Sequence, residues 1–205
     1  MLRIVSLGTV AERKLNMKKN TQKIVGTGIL TAIVVVLQLV ASTIRLGPFS
    51  ITLCLAPIVV GAALYGALSG GWLGLSFGVA VLISGDAAAF LAINPLGTVV
   101  VVLAKGLLAG LVAGLFYALI QKKSKLAGVI VAGVVCPFVN TGIFLAGCYI
   151  FFRDWLVAVF GTTGFATVVA GLVTVNFAIE LGINLALATV IERIIRIGEK
   201  EIKKR

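Results

Sequence analysis

The residue with the clearest chemical potential is Lys105, the single charge in an apolar run that starts at Asn94-Pro95 and ends at Gln121. It follows Gly97 by eight residues, so a helix would place it about 12 Å from its start. A lysine at that depth in hydrocarbon costs about 2.5–3.5 kcal/mol on insertion scales unless it faces water, a partner or a ligand. Lys105 is therefore a candidate for binding an anion.

Four more polar residues inside apolar segments need an explanation: Asn140, Asn176, Glu180 and Asn184. Asn140 stands alone, whereas Asn176, Glu180 and Asn184 recur every four residues and so share one face of a helix. That face must point inward, because a polar group facing lipid would lack a hydrogen-bond partner. Two interpretations stay open: Lys105 pairs with Glu180 while the asparagines link helices, or Lys105 and the upper asparagines line a pocket that receives an anionic ligand from outside.

The composition of the chain indicates a polytopic membrane protein. Its 205 residues are 60% hydrophobic and 12% charged, with a mean hydropathy of +1.16, far from a soluble domain. The formal net charge of +11 comes from three basic clusters, located before Ile24, at 122–125 and after Ile191. By the positive-inside rule these clusters share the cytoplasmic side. Membrane topology thus explains the charge, and we expect no nucleic-acid partner.

We predict an all-α fold, a compact bundle of six transmembrane helices with both termini cytoplasmic. Charge-free runs of spanning length place the helices at about 24–44, 52–66, 72–85, 97–120, 126–152 and 165–191. Residues 1–20 form a polar, basic segment that we expect to be disordered, 21–196 the membrane domain, and 197–205 a basic cytoplasmic tail. The second and third helices are expected to be separated by a turn at 66–71.

Small residues recur at four-residue spacing in three of these helices, a pattern that lets helix backbones approach closely. The pattern also predicts smooth surfaces for contact between helices. The sets are Gly28 and Ala32; Gly70, Gly74 and Gly78; and Gly106, Gly110 and Gly114.

No enzymatic constellation is present in the sequence. The chain has no histidine, no CxxC, no phosphate-binding glycine loop and no nucleophile beside a base. We therefore expect no catalytic residue, metal or cofactor, and favour a binding subunit that takes energy from partners. Two alternatives are an ion-coupled carrier that uses Lys105 and Glu180, and a membrane-embedded enzyme or assembly factor.

The segment 85–95 (GDAAAFLAINP) carries Asp86, Phe90 and Asn94. It is apolar for a solvated loop, and we interpret it as an external lid packed over a site.

Residues 18–196 resemble the substrate-binding S component of energy-coupling factor (ECF) vitamin transporters. The resemblance is carried by six short spans, Gly28-xxx-Ala32, the Asn94-Pro95-Leu96-Gly97 start of the fourth helix, Asn140-Thr141-Gly142, and the Asn176 stripe. It implies a bacterial plasma-membrane protein whose partners are a transmembrane T component, docked through Gly28 and Ala32, and two cytoplasmic ATPases. It also implies toppling of the subunit in the membrane, a rotation for which the glycine ridges would supply smooth surfaces. The resemblance implies a ligand site near Asp86, Phe90, Asn94, Lys105, Asn140, Thr141 and Asn176.

The resemblance is strongest to the pantothenate-type branch. Pantothenate has one carboxylate with hydroxyl and amide groups, which suits one lysine among asparagines and a threonine. Folate or another anionic vitamin would also require a cation. With 8% aromatic residues, riboflavin and cobalamin are less favoured.

Overall fold

In a computed structural model the protein consists almost entirely of helices. The structure describes residues 2–43, 45–46, 49–50, 54–161 and 164–204, with side chains for all of these except 2–16, 18–19, 45–46, 49–50, 165, 170–176, 179–180, 199 and 201–204. The helices are α1 (Leu2–Ala41), α2 (Leu55–Tyr65), α3 (Ala67–Ile83), α4 (Ala88–Ile93), α5 (Pro95–Ile120), α6 (Lys125–Phe151), α7 (Arg153–Phe160) and α8 (Phe165–Lys204). Two short antiparallel strands, β1 (Arg45–Leu46) and β2 (Phe49–Ser50), follow α1.

Three described helical segments are long and apolar enough to cross a membrane: Asn20–Ala41, Pro95–Ile120 and Lys125–Phe151. The apolar helices α2 and α3 are shorter, with 11 and 17 residues, about 16 and 25 Å at 1.5 Å per residue. A hydrocarbon core is about 30 Å thick. Three spans are thus supported by length and composition, and the count of six remains a prediction.

The turn between α2 and α3 is a single residue. Gly66 has φ +93°, a conformation that costs glycine little because it lacks a Cβ, and it both ends α2 and precedes α3. The predicted break at 66–71 is therefore too wide, because residues from Ala67 onward are helical. The third helix begins five residues before the predicted position.

The starts of α5 and α6 are fixed by side-chain caps. Asn94 Oδ1 accepts a hydrogen bond from the Gly97 amide at 2.9 Å, and Pro95 occupies the first turn, where its missing N–H is not needed. Ser124 Oγ likewise accepts from the Ala127 amide at 3.3 Å. These caps place the starts of α5 and α6 at Pro95 and Lys125, two residues and one residue before the predicted starts at 97 and 126.

Two glycine ridges form one seam between α3 and α5. A Cβ added at Gly70 would lie 2.6 Å from the carbonyl oxygen of Gly110, and one at Gly78 would lie 2.8 Å from that of Val102. Between them, Gly74 and Gly106 each face the other's carbonyl oxygen. The sequence correctly predicts close helix packing here. The ridges are buried against each other, however, and are not outer surfaces for rotation.

The helices enclose one main hydrophobic core, with a smaller cluster at one end. The core takes buried residues from α1, α2, α3, α5, α6 and α8, and the smaller cluster joins α4, α6, α7 and α8. We call this end, where α1 and α3 finish and α5 begins, the α4 end. The three cysteines are buried and form no disulfide.

The N-terminal segment differs from its predicted description. Residues that we expect to be disordered, from Leu2 to Asn20, continue α1 without a break. Leu, Ala, Lys, Arg and Glu in this stretch are good helix formers, and no proline interrupts them.

Candidate functional site

Lys105 lies between two aromatic rings in the third turn of α5. Its Nζ is 5.7 Å from the ring centroid of Phe77 on α3 and 5.4 Å from that of Phe144 on α6. Each contact is a cation–π interaction, worth about 0.5–2 kcal/mol depending on desolvation. The rings orient the half-buried ammonium group and offset part of the cost of placing a charge inside the bundle.

Asn140 lies on the same side of α6 as Phe144, one helical turn earlier. The spacing i, i+4 puts the two side chains on one face, and the Phe144 ring contacts Lys105. Asn140 is only 5% exposed, and its Oδ1 accepts no hydrogen bond from the described residues. A buried acceptor without a partner costs about 1–3 kcal/mol. Asn140 therefore offers a buried acceptor, without a partner among the described residues, one turn or about 5.4 Å along α6 from the residue whose ring contacts Lys105.

An aromatic cluster covers this region at the α4 end. The ring of Phe90, on α4, lies 5.6 Å from Phe144, 5.0 Å from Phe152 and 5.0 Å from Trp155, all in edge-to-face geometry. Phe90 is 8% exposed. Residues 85–95 therefore contain a short helix that packs its aromatic residue over Phe144, in the position expected of a lid.

The remaining sequence-predicted site residues are more dispersed. Asp86 accepts a hydrogen bond from Gln38 on α1, Asn94 caps α5, and Thr141 is half-buried beside Asn140. Asn176 and Glu180 belong to α8, but their side chains are outside the described residues. The structure thus links Lys105, Phe90 and Asn140 through Phe144, whose ring contacts Lys105 and Phe90 and which lies one turn from Asn140 on the same face of α6. A Lys105–Glu180 pair stays an open alternative.

No metal-binding arrangement occurs among the residues whose side chains are described. No three His, Cys, Asp or Glu side chains are grouped there. The chemistry that this site supports is noncovalent recognition: a cation for an anionic group, an amide oxygen for a donor, and rings for apolar surface.

Comparison with known proteins gives a family assignment. A family model for the substrate-specific component of ECF transporters matches residues 22–192, most of the chain. The chain belongs to this family. Neither curated proteins nor solved structures gave a match. Membership makes the chain a subunit of a membrane transporter, because the family consists of transport components and not of enzymes. It also implies that the chain works with a T component and ATPases in an ECF complex.

The face of the S component predicted to dock on a partner is open in the structure. Gly28 and Ala32 are both exposed on α1, and a Cβ added at Gly28 would meet no atom within 4 Å. Apolar neighbours on the same helix, Ile24, Ile29 and Val36, are more than half exposed, at 71%, 59% and 58%. The face has the smoothness and apolarity needed for a helix–helix contact in a membrane.

Several residues of the site were not singled out from the S component's sequence. Phe77 and Phe144 hold Lys105, and Gln38 binds Asp86. Two signals were present: Phe144 follows Asn140 by four residues, and Gln38 is the one amide inside the first apolar run. Phe77 lies in the glycine-ridged helix, but nothing in its spacing indicates that it faces a lysine.

Proposed function

We propose that this S component binds a small anionic vitamin, with pantothenate as the first candidate, from outside the bacterial plasma membrane. In this proposal six spans place both termini in the cytoplasm. The subunit binds its ligand at the α4 end, topples in the membrane, and releases the ligand inside while partner ATPases hydrolyse ATP. The observation that carries the proposal is the contact of the Lys105 ammonium with the Phe144 ring, one helical turn along α6 from a buried Asn140 oxygen that has no hydrogen-bond partner among the described residues.

The chemistry of the two groups matches the two ends of such a ligand. Lys105 would bind the carboxylate, a charge-assisted contact that is stronger in a low-dielectric site. Asn140 Oδ1 would accept from a hydroxyl or amide N–H of the ligand. In the same proposal Thr141 and Asn176 add polar contacts, and Asp86, Phe90 and Asn94 border the ligand at the α4 end.

Folate is the second candidate. The observation that favours it is the aromatic cluster of Phe90, Phe144 and Trp155, because a ligand with rings could stack against such side chains. Folate also carries carboxylates, so it would use Lys105 in the same way. Competition between the two vitamins for binding to the purified S component decides between them.

Uptake in vesicles tests the proposed function. Vesicles that contain this chain, a T component and two ATPases should accumulate labelled pantothenate only when ATP is supplied on the side of the membrane that carries the ATPases. Vesicles with this chain alone should bind but not accumulate it. Accumulation by the chain alone under a pH gradient would instead support the ion-coupled carrier that uses Lys105 and Glu180.

Asn140→Leu should separate binding from stability. Leucine has a similar volume and removes a buried acceptor that lacks a partner, so thermal stability without ligand should stay the same or rise. Pantothenate affinity should fall about tenfold or more, because a hydrogen bond to the ligand is worth about 0.5–1.5 kcal/mol and the ligand donor is left unpaired.

Calorimetric titration and thermal unfolding measure the two effects of Asn140→Leu. The control is Ser69→Ala, which removes a buried hydroxyl that does have a partner, the Tyr65 carbonyl, at the far end of α3. It should leave affinity unchanged. Equal affinity of Asn140→Leu and the wild type would remove Asn140 from the site.

Gly28→Leu should break the complex while sparing the isolated subunit. A side chain at Gly28 has open space around it, so folding and vitamin binding should be unchanged. The same side chain would hold a partner helix away from α1, so co-purification with the T component should be lost. Gly182→Leu is the matched control, because that exposed glycine also has no atom within 4 Å of an added Cβ. Retention of the complex by Gly28→Leu would exclude this face.

A further inference from the structure

The last turns of α8 expose cations and large apolar side chains on the same surface. Arg193, Arg196 and Lys200 are exposed there, and beside them Ile194 and Ile197 are 47% and 64% exposed. A row of exposed isoleucines is unfavourable in water, and three cations are unfavourable among lipid tails. The mixture is typical of a helix face at the boundary between the two.

The contacts of α8 with α6 place these turns at one end of the bundle. A Cβ added at Gly133 of α6 would lie 3.7 Å from Asn184 Cβ, and Phe177, earlier in α8, packs on Phe138, later in α6, so the two helices are antiparallel. Arg193 follows Asn184 by nine residues, and α6 begins eight residues before Gly133, distances of about 14 and 12 Å. Arg193 is therefore level with the start of α6. We call this end, where α5 finishes and α6 begins, the basic end.

The same turns of α8 are attached to the bundle by a separate face. Ile191 and Ile195 are 3% and 0% exposed and belong to the main core, and a Cβ added at Gly198 would lie 3.0 Å from Leu64 of α2. The spacing i, i+4, i+7 keeps these three positions on one side of the helix. The face that carries the cations and exposed isoleucines is thus held in place, but no part of the chain that the structure describes covers it.

An apolar stripe and a basic stripe run side by side along this exposed face, each repeating at helical spacing. The apolar stripe consists of Val190, Ile194 and Ile197. The basic stripe consists of Arg193, Arg196 and Lys200. Arg193 and Ile197 are four residues apart and so are neighbours on the helix surface. A ligand with an anionic group next to an apolar chain can therefore contact both stripes at once.

Arg196 is oriented by an ion pair that leaves it able to bind an anion. Its Nε and Nη2 donate to Glu192 Oε1 at 2.9 and 2.5 Å, yet its side chain is 60% exposed, against 11% for Glu192. A guanidinium has five N–H donors, so donors remain for a second acceptor. The next acidic residues, Glu199 and Glu201, have side chains outside the described residues, and the two stripes are defined only up to Lys200.

We propose that this face of α8 binds an anionic phospholipid such as phosphatidylglycerol. The phosphate accepts hydrogen bonds from the basic stripe, and an acyl chain lies along the apolar stripe. A soluble anion would match only the basic stripe, and a neutral lipid only the apolar one, whereas an anionic phospholipid matches both. The proposal does not depend on which vitamin the subunit binds.

Thermal unfolding of the purified full-length protein in neutral detergent tests the lipid site. A ligand that binds only the folded chain raises the unfolding midpoint. Phosphatidylglycerol should therefore raise it, whereas phosphatidylcholine with the same acyl chains and inorganic phosphate at the same concentration should not. Native mass spectrometry of the same samples counts the lipids bound to each chain.

Arg193→Gln combined with Lys200→Gln removes two charges and spares the Arg196–Glu192 pair. Affinity for phosphatidylglycerol, measured from the midpoint as a function of lipid concentration, should fall about 10- to 30-fold, because each basic group near an anionic lipid surface contributes about fivefold. All the substituted side chains are exposed, so the midpoint without lipid should not change.

Two further variants separate a lipid site from general attraction between charges. Lys122→Gln combined with Lys123→Gln is the matched control, because it removes two exposed charges at the basic end but outside α8, and it should keep the wild-type affinity. Ile194→Ser combined with Ile197→Ser keeps every charge but shortens the apolar stripe, and affinity should fall about fivefold or more.

Each outcome supports or overturns the proposal. Weaker binding in both α8 variants, with the 122–123 control unchanged, supports the lipid site. Equal weakening by the two charge variants indicates attraction to charge at large and overturns it. Unchanged affinity in the isoleucine variant, or equal stabilisation by inorganic phosphate, reduces the face to an anion site and also overturns it. If the Arg193/Lys200 variant binds lipid normally but no longer co-purifies with the T component and ATPases, the face belongs to a partner subunit instead.

Discussion

Gly74→Val is expected to prevent the S component from folding to a stable bundle. A Cβ at Gly74 would overlap the carbonyl oxygen of Gly106 on α5, and neither backbone can move without opening the whole seam. Overpacking commonly costs about 1–3 kcal/mol, and we expect about 3 kcal/mol or more here because the obstructing atom is backbone. The measurement is the yield of monodisperse protein in detergent together with its thermal unfolding midpoint.

Gly182→Val provides the comparison for this seam variant. Gly182 is also helical, but an added Cβ there meets no atom within 4 Å, so the change should leave the unfolding midpoint within a few degrees of the wild type. If Gly74→Val and Gly182→Val unfold at the same midpoint temperature, α3 and α5 do not pack through their glycines.

Lys105→Met is expected to remove most of the vitamin binding. Truncating one partner of a buried charge pair costs about 2–5 kcal/mol, so affinity should fall by at least about 30-fold. Methionine keeps the apolar length of lysine against Phe77 and Phe144. It also removes a charge from the bundle, so stability without ligand should stay the same or rise. Calorimetric titration and thermal unfolding of the same samples measure both quantities.

The stability readout of Lys105→Met also tests the alternative in which Lys105 pairs with Glu180. If that pair exists, Lys105→Met leaves Glu180 without its partner, and the variant should lose about 3–5 kcal/mol of stability. Adding Glu180→Gln should then restore much of the loss. A stable single variant without vitamin binding supports the ligand role, and an unstable one rescued by Glu180→Gln supports the pair. Lys122→Ala, in the 122–125 cluster outside the site, is the control and should change neither quantity.

The parts of the fold that follow from local chemistry could be predicted from sequence. The start of α5 follows from Asn94 and Pro95, since an asparagine cap and a proline in the first turn are intrinsic signals. Charge-free runs located the apolar helices. The position of the α2–α3 turn was less accessible, because glycines at 66, 70 and 71 all permit a turn and only packing of α3 on α5 requires Gly70 and Gly71 to be helical.

The parts that depend on long-range contacts could not be predicted. Four-residue spacing indicated that the glycines of α3 and α5 pack closely, but it did not indicate that the two ridges pack on each other. Lys105 could be identified because a charge in an apolar run is conspicuous. Its ring partners Phe77 and Phe144 could not, because aromatic residues are common in apolar helices. Gln38 and Asp86 are 48 residues apart, a separation that periodicity cannot bridge.

Titration of the purified full-length S component with pantothenate, by calorimetry and without partner subunits, tests the central claim most directly. We expect saturable binding at one site per chain, lost in Lys105→Met while that variant remains folded. Folate and biotin, titrated in parallel, report whether another anionic vitamin binds better. Binding of pantothenate that is unchanged in Lys105→Met, or no binding of any of the three by the wild type, would contradict the proposal that Lys105 receives an anionic vitamin.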